Sequence, residues 1–289
     1  MEVKDVKKPL THKEQIQKML DRGCIIDDES EAVSILERIN HYRLSAYFLP
    51  FKDENDRYKD GTNLKTVFKI HEFDRELSRL LFNIIVSIEL KLRAQISYYH
   101  AHTYGALGYT DSQNFNKRHN HKRFMESIER NINHNDKQLF VRHHKRAYGG
   151  KFPLWAIIEL FSLGELSYFY SDMEMSDRKA IAAGYETTPK NLSSWLLCLT
   201  YLRNYCAHYS RLYFNNFPPK PATPENFPYT LEKTVFDYIL VLKFLCCRNK
   251  EWCTSFAVQL EALIEEYRDY IQLEHIGFPG NWAELVKWG

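Results

Sequence analysis

The chain has 289 residues, 44% hydrophobic and 26% charged, which excludes disorder over the whole length and allows a substantial core. A net charge of +2 excludes no class of partner by itself, and 11 glycines with 10 prolines argue against a turn-rich sandwich or propeller. Aromatic residues reach 15%, and that many rings must fill a core, cover an interface or stack on a ligand.

Met1 to Leu10 is polar and reads as loose. Thr11-His12-Lys13-Glu14 has the capping-box pattern, a hydroxyl followed three residues later by a carboxylate, and predicts a helix ending near Gly23. A second amphipathic segment runs from about Glu31 to Ile39. Asn40 to Phe51 is dense in Tyr, Leu and Phe, and Lys52 to Asn63 is a charged loop. A long helical pattern follows, with Phe73, Leu77, Leu80, Ile84, Ile88 and Leu92 at spacings of three and four, continuing to Thr103 before Gly105. Its length predicts a kink or two consecutive helices. Residues 104–152 carry ten Lys/Arg against four Asp/Glu and hold five of the twelve histidines, so a basic segment with shorter helical patterns sits in an otherwise mildly acidic chain.

Pro153 can open a further helix, with Leu154, Ile157, Ile158, Phe161 and Leu166 as its apolar stripe. Thr188-Pro189 is another cap-plus-proline start, predicting a helix through about Tyr209. Phe217 to Pro228 contains five prolines and reads as a loop. Leu231 to Cys247, Phe256 to Ile271 and Trp282 to Trp288 complete the helical segments. No βαβ alternation, hairpin signal or repeat is visible, so the fold class is all-α. No stretch is long and apolar enough to span a membrane. The six cysteines (Cys24, Cys198, Cys206, Cys246, Cys247 and Cys253) include no C-x-x-C pair. With a charged N-terminus, they are expected to be reduced thiols of a cytoplasmic protein.

The sharpest short feature is Arg203-Asn204-Tyr205-Cys206-Ala207-His208. On a helical wheel, Leu192, Trp195, Leu199, Leu202 and Cys206 form one stripe, and Asn204 and His208 point almost opposite. Arg203 lies on the flank, about 7.5 Å along the axis from His208, so both can reach one phosphodiester. The same outer face carries Leu197, Tyr201 and Tyr205, more aromatic than a solvent face, and is expected to meet another helix or subunit. Glu89, Arg93, Ser97 and His100 lie opposite the long helix's stripe. They form either a solvated face with a Glu89–Arg93 pair or the lining of a cleft beside Arg203 and His208. Glu159 and Glu165 interrupt an apolar helix, and Glu159 is a candidate partner for Arg203 or Arg93. The basic segment offers Lys117, Arg118, Lys122, Arg123, Arg142, Lys145 and Arg146 as phosphate-neutralising cations, beside His and Tyr side chains able to meet unpaired bases. The alternative is a solvated loop. The histidine spacing fits no zinc site, and no P-loop, G-x-G-x-x-G, G-x-S-x-G or H-E-x-x-H occurs. Neither metal nor cofactor is expected.

These runs, in this order, resemble the bacterial abortive-infection proteins of the AbiD/AbiF type, the Abi-like family. The resemblance covers Lys8-Pro9-Leu10-Thr11, Gln15-Ile16, Arg22-Gly23 and Ile39 to Tyr47 (INHYRLSAY). It continues through Phe73 to Leu77 (FDREL), Ile88 to Arg93, Pro153-Leu154-Trp155, Leu163 to Ser167, Arg203 to His208, and Gly277-Phe278-Pro279 with Trp282. That family looks like a branch of the HEPN superfamily, whose active members carry R-x(4–6)-H. The resemblance implies a HEPN-like helical bundle with additional N- and C-terminal helices. It would form a single all-α domain with N-terminal helices over 1–62, a core over 63–215 with a basic insert at 104–152, and C-terminal helices over 216–289.

For function, the resemblance implies a toxin or phage-defence role by metal-independent RNA cleavage. His208 would be the acid/base, Arg203 would sit on the phosphate, and Asn204 would orient His208 from one turn away or donate to the phosphate. Glu89, Arg93 and His100 would be a candidate second motif. It implies RNA as substrate, a homodimer with facing motifs, and a neutralising non-coding RNA or protein antitoxin. The alternative is a non-catalytic RNA-binding HEPN module, or an RNA-regulated toxin acting through a partner.

Overall fold

The computed structural model describes residues 8–246 and 250–287, with the side chains of 250–254 left aside. Most of the Met1 to Leu10 segment, together with Trp288 and the side chains of Cys247 and Cys253, lies outside the described residues. The first helix, α1 (His12–Asp21), starts at the capping box: the Thr11 hydroxyl accepts from the Glu14 N–H, and the Glu14 carboxylate accepts from the Thr11 N–H. It ends before Gly23, whose φ of +92° suits a residue without a Cβ. α2 (Glu29–Arg38) is capped by Asp28, and α3 (His41–Phe48) by Asn40, whose side chain accepts from the Tyr42 N–H. The dense aromatic stretch is therefore a helix in its own right, closed by a 3-10 turn at Leu49–Phe51 that contains Pro50.

α4 (Leu64–Tyr104) is a single helix of 41 residues, about 60 Å long. Of the two expectations, a division into consecutive helices is absent, because the segment contains no Gly or Pro to interrupt its hydrogen bonds. Leu77, Leu81, Ile85, Leu92 and Ile96 on it are fully buried, each worth about 1.5–3 kcal/mol. α2, α3 and most later helices pack along it.

The basic segment forms α5 (His121–His134) and α6 (Leu139–Ala147). The helix predicted from Pro153 to Leu166 is two pieces. α7 (Leu154–Ile157) tightens into a 3-10 turn at Ile158–Leu160, and Ser162 then caps α8 (Leu163–Asp172). The reason is a second capping box, Ser162 with Glu165, which starts a new helix. Glu165 thus serves as a cap, and Glu159 is exposed. α9 (Met175–Ala183) has no counterpart among the elements expected from sequence. α10 (Pro189–Ala207) begins at Thr188-Pro189 as predicted.

The proline-rich loop leads to α11 (Val235–Leu245), buried on every side from Val235 to Leu242. α12 (Lys250–Tyr267) then packs on α4, and α13 (Trp282–Val286) closes the chain against α11. The architecture is all-α: apart from three isolated bridges, no strand pairs among the described residues. One contiguous core runs from Ile16 to Val286. None of these helices is long and apolar enough to cross a membrane. Burial pushes the thiols of Cys24 and Cys206 up to about 12 and that of Cys198 to about 11, which keeps them in the unreactive form.

Gly277 has φ +83°, and a Cβ there would lie 2.2 Å from the Thr234 Cβ and Oγ1. Thr234 caps α11 in a box with Asp237. Gly277→Ala combines left-handed strain of about 1–2 kcal/mol with displacement of a cap worth about 1 kcal/mol. The expected loss is about 2–3 kcal/mol, read as a lower urea midpoint at unchanged m-value. A midpoint equal to wild type would mean that Thr234 yields freely.

Candidate functional site

α10 is held by its buried stripe of Leu192, Trp195, Leu199, Leu202 and Cys206, which forces Asn204 and His208 to the exterior. Arg203 is half-buried on the flank. His208 is the C-cap residue: its N–H bonds to the Asn204 carbonyl at 3.0 Å, so the helix ends one residue before the imidazole. Tyr209 follows with φ +52°, a left-handed conformation unusual for a bulky residue. The Ser210 N–H returns to the Tyr205 carbonyl at 2.8 Å. The chain therefore turns sharply around His208 and leaves it at the rim. Among the described residues, the side chains of Arg203, Asn204 and His208 make no hydrogen bond or ion pair with the rest of the chain, and Asn204 does not touch the His208 imidazole by a hydrogen bond. On the outer face, Tyr205 is covered by Phe217 (ring centroids 5.0 Å apart), whereas Leu197 and Tyr201 remain exposed.

The turn after His208 is anchored by Asp74 of α4. Its carboxylate accepts from the Tyr47 hydroxyl at 2.6 Å and from the backbone N–H groups of Leu212 and Tyr213 at 3.0 and 2.8 Å. Arg211 reaches the Ala46 carbonyl of α3 and lies over the Tyr47 ring. α3, α4 and the end of α10 are thus tied together, and beside the tie is a cavity of about 250 Å³. Tyr209 and Ser210 form one wall. Asn40, Arg38, Arg43, His71 and Arg75 form the others. Arg43 has no carboxylate partner among the described residues, while Arg75 is paired with Glu76 at 3.1 Å. Burial, with Arg43 and Arg75 nearby, pushes His71 down to about 4, so it is neutral at physiological pH, and its buried Nδ1 has no hydrogen-bond partner. Asp74 also lines the recess, and three arginines against that one carboxylate leave it net positive and suited to a phosphate, beside Tyr209, the residue after His208.

Arg43, His71, Asp74 and Arg75 were not among the candidates read from the sequence. Two of the runs that carried the resemblance contained three of them: Arg43 in INHYRLSAY, and Asp74 with Arg75 in FDREL. Their distance along the chain from His208 gave no spacing by which to join them.

The Glu89, Arg93, Ser97 and His100 set requires a correction. It is neither a solvated face nor a cleft lining, because the α7–α8 connection packs over it. Arg93 is buried, pairs with Glu89, and donates to the carbonyls of Ile158 and Phe161, the latter at 2.6 Å. The expected partnership with Glu159 is absent. Ser97 bonds back to the Arg93 carbonyl at 2.7 Å. His100 is 0% exposed, boxed by Tyr104, Phe115 and Phe169, with both ring nitrogens unpartnered.

Burial pushes His100 down to about 4. A depressed folded-state value means that the unfolded chain takes the proton first, so this contribution to stability is intact above about pH 6.5 and is lost as pH falls through 4. The loss is on the order of 3 kcal/mol, since one pKa unit is worth about 1.4 kcal/mol. Asp74 acts in the opposite sense: burial pushes it up to about 6, so its share grows as pH falls from 6 toward 4. His100→Phe is expected to hold stability at pH 7.5 and to flatten the decline between pH 6.5 and 4, measured by urea unfolding across pH. An unchanged pH profile would mean that His100 does not titrate this way.

The basic segment divides in two. Lys117, Arg118, Lys122, Arg123, Arg142, Lys145 and Arg146 are all exposed, and none pairs with a carboxylate among the described residues. Arg118 and Arg123 border a cleft between α5 and α8, whereas Arg142, Lys145 and Arg146 lie on α6 and do not line it. His119 and His121 join a hydrogen-bonded chain, with His119 Nδ1 2.9 Å from Asp172 and His121 Nε2 3.0 Å from the Thr110 carbonyl. Among the described residues, no group of three or more His, Cys, Asp or Glu side chains is placed to hold a metal ion.

The sequence model of the Abi-like protein family matches residues 34–214, more than half of the chain. The matched region begins within α2 and ends just past the turn that follows His208. No curated protein and no solved structure matches the chain.

Proposed function

The chain belongs to the Abi-like protein family, and from that membership we propose that it is a phage-defence protein of the abortive-infection type that acts as an endoribonuclease at the end of α10. The observation that carries this reading is the presentation of Arg203, Asn204 and His208. All three lack partners within the described chain, and they stand at a strained turn beside the cationic recess of Arg38, Arg43 and Arg75.

RNA supplies its own nucleophile. The 2′-oxygen forms a bond to the adjacent phosphorus, the bond from phosphorus to the 5′-oxygen breaks, and the products are a 2′,3′-cyclic phosphate and a 5′-hydroxyl. A proton must leave the 2′-hydroxyl and another must reach the 5′-oxygen. Imidazole is suited to either transfer near neutral pH, and His208 takes one of them. The second falls to His208 of a second copy, docked through the exposed Leu197 and Tyr201. Arg203 grips the non-bridging oxygens and offsets the charge that builds on them. Asn204 donates to the phosphate from one turn away. Arg43 and Arg75 hold the neighbouring phosphate and set the register of the strand.

The test is incubation of the purified protein with cellular RNA in EDTA, followed by mapping of the cut ends. Cyclic-phosphate and 5′-hydroxyl ends are the expected result. Intact RNA, bound in a salt-sensitive way, would favour instead the RNA-binding module that the uncompensated basic segment allows.

A further inference from the structure

Between α5 and α8 lies a cleft of about 510 Å³, within the range of small-molecule and nucleotide sites. Three arginines border it: Arg118 ahead of α5, and Arg123 and Arg130 on α5. None has a carboxylate partner among the described residues. Two carboxylates also line the cleft, and both are already engaged. Asp172 is held by His119. Glu165 accepts from Ser127, Asn131 and both the N–H and hydroxyl of Ser162. Burial pulls Glu165 upward, but those hydrogen bonds outweigh it and leave the carboxyl below its ordinary value. Both acids are therefore fixed in place by their own hydrogen bonds, and the three guanidinium groups line the open cleft. At the rim, Tyr168 of α8 is 68% exposed, so its ring face is open to a base seated in the cleft.

The cleft also has a defined relation to the end of α10. Gly164, on its wall, sits so close to α10 that a Cβ would meet the Thr200 methyl at 3.5 Å. Thr200 is one turn before Asn204, and about 12 Å of helix separates it from His208. The wall of the cleft and His208 are thus set about two turns apart along one helix.

We infer that this cleft binds one nucleotide of single-stranded RNA, with its phosphate on Arg118, Arg123 and Arg130 and its base stacked on Tyr168. The inference rests on the reading of RNA as substrate, but not on cleavage. Stacking on an exposed ring requires an unpaired base, so the cleft selects single strands over duplex. Arg130 and Tyr168 extend the set of RNA-binding groups beyond the basic runs, and they separate a built site from diffuse charge.

The experiment measures anisotropy of a labelled, short single-stranded oligoribonucleotide on the full chain carrying His208→Ala, which keeps the probe intact. Arg123→Glu with Arg130→Glu should weaken binding at least tenfold. It should also flatten the salt dependence, by about 0.7 in the log–log slope for each phosphate no longer neutralised. Tyr168→Ala should weaken binding about five- to a hundredfold, as loss of one stacked base does, and Tyr168→Phe should restore it. Arg142→Glu with Lys145→Glu on α6, outside the cleft, should cost at least threefold less than the α5 pair.

Equal losses for the α6 and α5 pairs would overturn the proposal in favour of diffuse charge. So would pocket variants that melt like the parent and bind like it. Should the variants behave as expected while the protein with an intact His208 cuts no RNA, the nuclease reading falls and the cleft stands. Should cutting occur and the variants bind like the parent, the reverse holds.

Discussion

Alanine at His208 is expected to lower RNA cleavage by about 10²–10⁴-fold, the range that a positioned acid or base supplies, while changing RNA affinity by less than threefold. The imidazole has no hydrogen bond to the rest of the described chain, and only the backbone N–H of His208 takes part in the helix cap, so removal of the ring leaves the fold intact. Arg203→Ala is expected to lose cleavage by about 10²–10³-fold, as does loss of one group that stabilises a developing oxyanion. Arg203→Lys keeps the charge but not the fork, and should fall between. Single-turnover rates with saturating protein separate the chemical step from binding. If His208→Ala cuts at the wild-type rate, the acid/base role is wrong. If it loses binding and cleavage together, His208 holds the RNA and is not a proton carrier.

The second large effect is on stability. Asp74 is 1% exposed and is the shared acceptor for one hydroxyl and two backbone N–H groups. Asp74→Ala leaves three buried donors without an acceptor, at about 1–3 kcal/mol each, offset in part by relief of the buried charge. A net loss of about 3 kcal/mol or more is expected from urea unfolding. Asn should rescue only in part, because its amide oxygen can accept from Tyr47 and Leu212 but its amide nitrogen cannot accept from the Tyr213 N–H. Amide exchange at Leu212 and Tyr213 should accelerate even under native conditions, because these bonds hold the turn after His208. A loss below about 1 kcal/mol with unchanged exchange would show that the tie between α3, α4 and the turn is not what holds the site.

The parts of the fold legible in sequence were those set by local rules. The capping boxes and cap-plus-proline starts placed α1 and α10 because a cap satisfies N–H groups within three residues of itself. The same local reading failed where two elements shared one apolar run. Nothing in the spacing of Leu154, Ile157 and Phe161 reveals that the helix stops there, although Ser162 and Glu165 carried the signal. The expected division of α4 into two helices rested on length, while the composition, free of Gly and Pro, pointed to one continuous helix.

For the site, the chain alone was enough to bring Arg203, Asn204 and His208 onto an outward face, because one helix and its buried stripe dictate that geometry. It could not assign Arg93 and His100. Helical periodicity says which residues share a face, and only packing by the α7–α8 connection decides whether that face is wet. Nor could it join Arg43, His71 and Arg75 to His208, or Arg130 to Tyr168. Each of those groups is assembled by elements distant in sequence, and only tertiary packing brings the polar side chains together: α3 and α10 against α4 for the first, Phe124 of α5 against Phe161 and Phe169 for the second.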